Sequence, residues 1–150
     1  WEEIAVPLPL FDVNWLAILV AAVVAFVVGF LWYGPLCGKA WSDGMGFGAM
    51  TPEALKEMQK GATTGYLASF VSNLVVAWGL SVVFGALGVS TVGRALGVTV
   101  FLWLAFNFAP TVTGLFFRGP RSPAPVVYWI DASHRLSLMM AVAVVIALMA

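Results

Sequence analysis

The segment Asn14–Trp41, NWLAILVAAVVAFVVGFLWYGPLCGKAW, decides the fold class of this chain. It carries no charged residue before Lys39, and it is long enough to cross a hydrocarbon core of ~30 Å as a helix. Trp15 stands near one end, and Trp32 and Tyr33 stand near the other. Aromatic side chains favour the membrane–water interface at such positions. The segment is therefore predicted to be a membrane-spanning helix.

The composition of the whole chain agrees with this prediction. Hydrophobic residues make up 62% of the 150 residues and charged residues only 9%, whereas an ordinary soluble domain has roughly 25% charged residues. The formal net charge is zero, so no basic field indicates a nucleic-acid partner. The single cysteine, Cys37, excludes an intrachain disulfide, and no Cys/His spacing is typical of a metal site. We therefore predict no metal, no resident cofactor and no nucleic-acid partner.

Four long apolar runs predict four transmembrane helices, at about residues 14–33, 66–87, 95–117 and 126–149. Each run has about 20 to 24 residues, which suits a spanning helix with some tilt. Such runs are too long and too uniformly apolar for the buried helices of a soluble core. We predict an all-α membrane protein whose single domain, residues 1–150, is a compact bundle of four transmembrane helices.

The only sizeable loop lies between the first two predicted spans and contains a short helix at about residues 52–60. Thr51 is a good N-cap, Pro52 suits the first turn, and Glu53 complements the helix dipole. Gly61 is a plausible helix end. Apolar residues upstream favour a helix on the membrane surface, and a solvated helical linker is the alternative.

The distribution of basic residues predicts the orientation in the membrane. Six of the seven Lys and Arg residues fall at one end of the predicted bundle, and only Arg94 falls at the other. Cytoplasmic loops carry an excess of Lys and Arg. We therefore expect both termini on the non-cytoplasmic side and the first and third loops in the cytoplasm. The six residues are Lys39, Lys56, Lys60, Arg118, Arg121 and Arg135.

Small residues recur at every fourth position and form ridges along the predicted helices. In lipid, helices associate through close backbone contact and interhelical hydrogen bonds, so these ridges predict packing within the chain or against a partner. The first span carries Ala17, Ala21, Ala25 and Gly29, the second carries Ser69, Asn73, Ala77, Ser81 and Gly85, and the third carries Gly93, Gly97, Ala105 and Ala109.

The densest group of candidate functional residues stands at the start of the fourth span. Asp131, His134 and Arg135 share one helical face, where Asp131 can orient a neutral His134 or pair with Arg135, and His134 can pass protons. The alternative is an interfacial ion pair between Asp131 and Arg135, with His134 reaching the headgroups. His134 is also a candidate ligand for a pigment magnesium or a heme iron shared with a partner.

Two asparagines are expected near the middle of the membrane, Asn73 in the second span and Asn107 in the third. An amide in hydrocarbon needs a partner, because leaving it unpaired costs several kcal/mol. The two side chains either line a polar path or join helices by hydrogen bonds.

The first span also carries a resemblance. The elements Asn14-Trp-Leu-Ala17, Leu31-Trp-Tyr-Gly-Pro-Leu36 and Gly38-Lys39, with Trp41, resemble the signature of a bacterial membrane-protein family, domain of unknown function 1761. Ile130-Asp131 resembles the opening of that family's last span. The resemblance implies about four spans and a bacterial inner-membrane location, but no activity or catalytic residues.

Three functions are compatible with these patterns. The first is a non-enzymatic accessory or structural subunit that packs against itself or other membrane subunits. The second is a small transporter or channel with a polar path near Asn73, Asn107 and Asp131. The third is a redox or pigment-associated protein that uses His134, in contact with a pigment, quinone or heme of a partner. No catalytic motif occurs, so the first hypothesis leads and no enzyme is predicted.

Overall fold

The computed structural model describes residues 10–120 and 122–150, and every regular element in these ranges is helical. Four of the helices are long and apolar enough to cross a membrane, which confirms the predicted all-α class and number of spans. We call them spans 1 to 4. They comprise Trp15–Leu36, Ala62–Ala86, Val92–Phe116 and Pro125–Met149.

Polar contacts join the ends of the spans on one side of the bundle. The Asn14 side chain accepts a hydrogen bond from the Ala17 amide (3.1 Å) and donates to the Met149 carbonyl (2.9 Å), which ties the start of span 1 to the end of span 4. Spans 2 and 3 are joined by a tight turn in which Gly88 has a φ of 58°. Arg94 donates to the Gly88 carbonyl (3.0 Å) and holds this turn closed. We call this side of the bundle the Arg94 end.

The loop between spans 1 and 2 forms helices at Gly38–Gly44, Phe47–Ala49 and Pro52–Lys60. The first of these helices packs on the beginning of span 4, where the Ala124 amide donates to the Gly44 carbonyl (2.9 Å). Thr51 caps the last one by accepting from the Ala54 amide (3.2 Å). This loop and the segment between spans 3 and 4 form the opposite end of the bundle, the long-loop end.

Spans 1 and 4 lie at the centre of the packing. Span 1 packs on spans 2 and 4, and span 4 also packs on span 3 and, less extensively, on span 2. The small residues Ala21, Ala25, Ala77 and Ala143 are fully buried at these contacts, because side chains of this size let helix backbones approach closely. Spans 2 and 3 are consecutive in the chain but do not pack along each other. A cleft therefore lies between them.

Two spans are interrupted by a π-helical turn, a feature that is frequent at functional sites. In span 1 it covers Trp32–Leu36 and contains Pro35, and in span 3 it covers Leu104–Phe108, just before Pro110. Thr111 donates to the Asn107 carbonyl (2.7 Å), which satisfies an acceptor beside the proline break. Both interruptions border the cleft.

Because span 1 packs closely on two other spans, enlarging one of its buried alanines should reduce stability more than enlarging an outward-facing alanine. Ala21→Leu inserts three carbon atoms at a fully buried contact and should destabilise the protein by about 1–3 kcal/mol. The matched control, Ala105→Leu, adds the same group at an exposed position of span 3 and should change stability by less than about 0.5 kcal/mol. Reversible unfolding in mixed micelles, followed by tryptophan fluorescence, measures both. Equal losses of stability would contradict the packing.

Candidate functional site

A cavity of about 1020 Å³ lies between the four spans. Tyr66 and Phe106, which are 63% and 72% exposed, stand at its rim and mark an opening between spans 2 and 3. Pockets for small molecules typically measure about 300–1,000 Å³ and combine apolar walls with a few polar groups. The structure brings all the polar candidates of the sequence together in this one cavity, namely Asn73, Asn107, Asp131, His134 and Arg135.

Asp131 is held by side chains from distant parts of the chain. The Tyr33 hydroxyl donates to its Oδ1 at 2.8 Å, and Trp41 Nε1 donates to the same oxygen at 3.1 Å. His134 Nδ1 lies 3.3 Å from the Tyr33 hydroxyl. Because the single hydroxyl proton of Tyr33 goes to Asp131, we assign the proton of this second contact to His134 Nδ1. The result is a hydrogen-bonded chain from His134 through Tyr33 to Asp131.

The aromatic residues at the end of span 1 build this arrangement. The π-helical turn carries both Trp32 and Tyr33, and Trp32 Nε1 donates to the Ile130 carbonyl at 3.2 Å. The Tyr33 ring lies 4.7 Å from the imidazole of His134 and 5.3 Å from the indole of Trp41, centroid to centroid. The sequence predicts Trp32 and Tyr33 at the membrane interface. In addition, the structure shows both of them hydrogen-bonded to span 4.

Asp131 and Arg135 do not form the ion pair that was one of the sequence-based alternatives. Over residues 10–120 and 122–150, ion pairs join only Lys39 to Asp43 and Lys60 to Glu57, outside the spans. Tyr33 and Trp41 supply the donors for Asp131, and Arg135 is exposed toward the cavity. The helical spacing of the two residues permitted a pair, but donors from span 1 and the loop take its place.

Three other polar groups of the cavity walls lack a strong partner in the described part of the chain. The Asn73 side chain has no hydrogen bond, although the residue is only 8% exposed. Asn107 Nδ2 contacts only the sulfur of Met139, at 3.7 Å, and a thioether is a weak acceptor. His134 Nε2 is buried and unpaired. Buried polar groups are normally hydrogen-bonded. A further exception, Thr99 Oγ1, is buried in span 3 outside the walls of the cavity.

The predicted packing ridges divide between the core and the cavity. Ala17, Ala21, Ala25 and Ala77 are buried. A Cβ at Gly29 would lie 3.4 Å from His134 Nε2, so Gly29 lets the imidazole approach span 1. Along span 2, Ser69 and Asn73 line the cavity, Ser81 is half-buried, and Gly85 is exposed.

The geometry limits what His134 can bind. Its Nε2 is enclosed beside Gly29 and its Nδ1 is engaged with Tyr33, so neither nitrogen faces an open coordination position. No cluster of three or more His, Cys, Asp or Glu side chains suited to a metal occurs among the residues that the structure describes. Cys37 is half-buried directly after the π-helical turn of span 1.

Tyr33 and Trp41 belong to the site but were not predicted there from the sequence. A signal for them existed, because the elements that carry the family resemblance contain Trp32, Tyr33, Trp41 and Asp131. Asp131 lies 90 or more residues from the other three in sequence, yet hydrogen bonds join all three of them to Asp131 or to its neighbour Ile130.

The sequence profile of a family described as "Protein of unknown function (DUF1761)" matches residues 16–147. The chain belongs to this family. The match confirms the predicted resemblance and includes every residue of the cavity and of the hydrogen-bonded cluster. Comparisons with curated proteins and with solved structures find no match.

The hydrogen-bonded chain predicts that the Tyr33 hydroxyl contributes to stability. Tyr33→Phe leaves Asp131 with one donor and His134 Nδ1 without an acceptor, and should cost about 1–3 kcal/mol. The matched control is Tyr66→Phe, because Tyr66 is 63% exposed and its hydroxyl makes no hydrogen bond within the described residues. Unfolding midpoints in detergent measure both variants. Similar small shifts of the unfolding midpoint in the two variants would refute the proposed contribution of the Tyr33 hydroxyl to stability.

Proposed function

We propose that this protein binds a small amphipathic molecule from the bilayer in the cavity between its spans and acts as a small membrane carrier. The observation that carries the proposal is the side chain of Asn73. It is more than nine-tenths buried, borders the cavity, and has no hydrogen-bond partner in the described part of the chain. Its amide is therefore accessible from the cavity, and an amide without a partner is costly in a membrane. A polar group of a bound molecule would stabilise it.

The position of the opening supports entry from the lipid phase. The cavity reaches the surface between spans 2 and 3, where the rim carries the exposed aromatic residues Phe30, Tyr66 and Phe106. The core residues Ile18, Phe84 and Ile146 pack toward the Arg94 end of the bundle. This packing favours a binding cavity with a lateral opening over a continuous pore.

The proposal does not include catalysis. His134 Nε2 is enclosed beside Gly29 rather than open to the cavity, and Tyr33 directs its proton to Asp131. These contacts favour a structural role for the hydrogen bonds that link His134, Tyr33 and Asp131. A general base needs hydrogen-bond access to the proton that it removes.

Two glycines allow a direct test of cavity binding. A Cβ at Gly79 or at Gly97 meets no atom within 4 Å, but only Gly79 lines the cavity. Gly79→Phe should fill the cavity without disturbing the fold and weaken binding of the native small molecule by about tenfold or more, or roughly 1.4 kcal/mol. Mass spectrometry of molecules that co-purify from native membranes measures the loss. Gly97→Phe is the control and should retain them.

Identical small molecules at identical stoichiometry in both variants and in the wild type would contradict cavity binding. The absence of any specifically retained molecule from the wild type would contradict it as well. Unfolding midpoints of both variants establish that each is folded.

An accessory-subunit function is the second candidate, favoured by the outward face of span 3. Gly93, Gly97, Ala105 and Ala109 are exposed there, and small residues permit close contact with another helix. The same two variants separate the functions, since association through this face should be lost in Gly97→Phe and kept in Gly79→Phe. Co-purification of another chain, or of a second copy, at fixed stoichiometry is the readout. A monodisperse monomer would count against it.

We further propose that the protein lies in the cytoplasmic membrane of a bacterium, with the long-loop end in the cytoplasm and both termini on the other side. Lys39, Lys56, Lys60 and Arg118 are at the long-loop end and Arg94 is at the other, in keeping with the preference of basic residues for the cytoplasm. Arg121 lies outside the described residues.

The single cysteine gives a test of this orientation. Cys37 is half-buried at the long-loop end, so a membrane-impermeant maleimide should label it in right-side-out vesicles only after permeabilisation. The control is Ser90→Cys combined with Cys37→Ala, because Ser90 is exposed at the Arg94 end. This variant should react before permeabilisation. The opposite pattern of labelling would reverse the orientation.

A further inference from the structure

We infer that the molecule bound in the cavity is an anionic amphiphile, whose carboxylate or phosphate head binds Arg135 and whose hydrocarbon chain extends to the opening between spans 2 and 3. This inference rests on the proposed function and specifies its ligand class. It follows from the depth of Arg135, from the partners of Asp131, and from the positions of the two asparagines.

The backbone of Arg135 lies well inside span 4, and its side chain is exposed toward the cavity. It stands ten residues into span 4, which begins at Pro125 at the long-loop end, and this corresponds to about 15 Å along the helix. An ionised residue at such a depth in a membrane normally pairs with an opposite charge or faces a polar cavity. In residues 10–120 and 122–150, Arg135 faces the cavity and has neither an ion pair nor a hydrogen bond. Its guanidinium presents five N–H donors.

The partners of Asp131 leave Arg135 available. Oδ1 of Asp131 accepts from both Tyr33 and Trp41, so this carboxylate is stabilised without the guanidinium. It also repels a second anion at the long-loop end of the cavity. An anionic head is therefore expected to reach Arg135 from the side that faces the membrane centre.

Two amides lie at the same depth as Arg135. Asn73 and Asn107 stand eleven and nine residues from the ends of their spans at the long-loop end, or about 14–17 Å along each helix. Both line the cavity, and neither has a strong partner within the described residues. Their N–H₂ groups can donate to oxygen atoms of an anion that Arg135 holds. A guanidinium binds carboxylate and phosphate in bidentate geometry, so these two head groups share the required chemistry.

The remaining walls suit a hydrocarbon chain. Apolar and aromatic side chains lead from the amides to the opening, among them Phe26, Val76, Leu102 and Phe106. Phe106 is 72% exposed at the rim, so a chain passing it would enter the lipid phase. The cavity thus has hydrogen-bond donors at its inner end and apolar walls at its opening to the lipid.

Equilibrium binding of tritiated laurate to the purified protein in nanodiscs tests the inference. Dodecyl phosphate should compete with laurate. Dodecanol and dodecylammonium should bind more weakly than laurate, by about tenfold or more. Inorganic phosphate and acetate should not compete, which distinguishes an amphiphile from a free anion. Arg135→Gln should reduce the affinity for laurate to the level of dodecanol, and Arg135→Lys should restore part of it. Arg118→Gln is the matched control, because Arg118 is exposed outside the cavity.

Equal binding of laurate and dodecanol by the wild type would overturn the inference, even if Arg135→Gln failed to fold. Unchanged laurate binding in a folded Arg135→Gln would do the same. Competition by inorganic phosphate as strong as that by dodecyl phosphate would replace the amphiphile with a soluble anion. In each of these cases the cavity could still bind a molecule, and the effect of Gly79→Phe would decide that separately. If Gly79→Phe displaced none of the twelve-carbon probes, the proposed function itself would fail.

Discussion

The close contact of span 1 with spans 2 and 4 determines where the rest of the molecule lies. Ala21 and Ala25 are fully buried in this contact, and their size lets the backbones approach, which is the main source of helix association in lipid. Because spans 1 and 4 form the centre, with span 2 packed mainly on span 1 and span 3 packed on span 4, spans 2 and 3 stay apart. The cavity is a consequence of this order of packing rather than a separate element of the fold.

The polar groups of the site fall into two sets, those with hydrogen-bond partners and those without. Asp131 has two donors from span 1 and the loop, and His134 Nδ1 is bonded to Tyr33. These contacts join span 1 to span 4 and explain why a π-helical turn at Trp32–Leu36 is useful, since it carries Tyr33 to the face of span 4. Asn73 and Arg135 lack such partners in the described part of the chain. Groups of the first kind hold the helices together, and groups of the second kind are available to a ligand.

The sequence predicted the number of spans and the ridge of span 1 because both depend on local pattern, namely hydropathy and a four-residue spacing. It offered a polar path near Asn73, Asn107 and Asp131 only as an alternative to interhelical hydrogen bonds, because it held no information that Asn73 and Asn107 lie on two spans that do not pack on each other. The partner of Asp131 was missed for a related reason. Helical spacing indicates Arg135, four residues away, whereas the donors come from Tyr33 and Trp41, 98 and 90 residues away in sequence. Local periodicity holds no information about such contacts.

Depth explains why Asp131 and Arg135, one helical turn apart, have different environments. Asp131 lies six residues into span 4, about 9 Å from its start, where the helix at Gly38–Gly44 can deliver the indole of Trp41. Arg135 lies about 6 Å further along the helix and lines the cavity together with Asn73 and Asn107. The fold thus satisfies its half-buried carboxylate from span 1 and from the loop that packs on span 4, and it leaves the cation of Arg135 facing the cavity. This difference between two charged groups on one helical face is the observation on which the proposed anionic ligand depends.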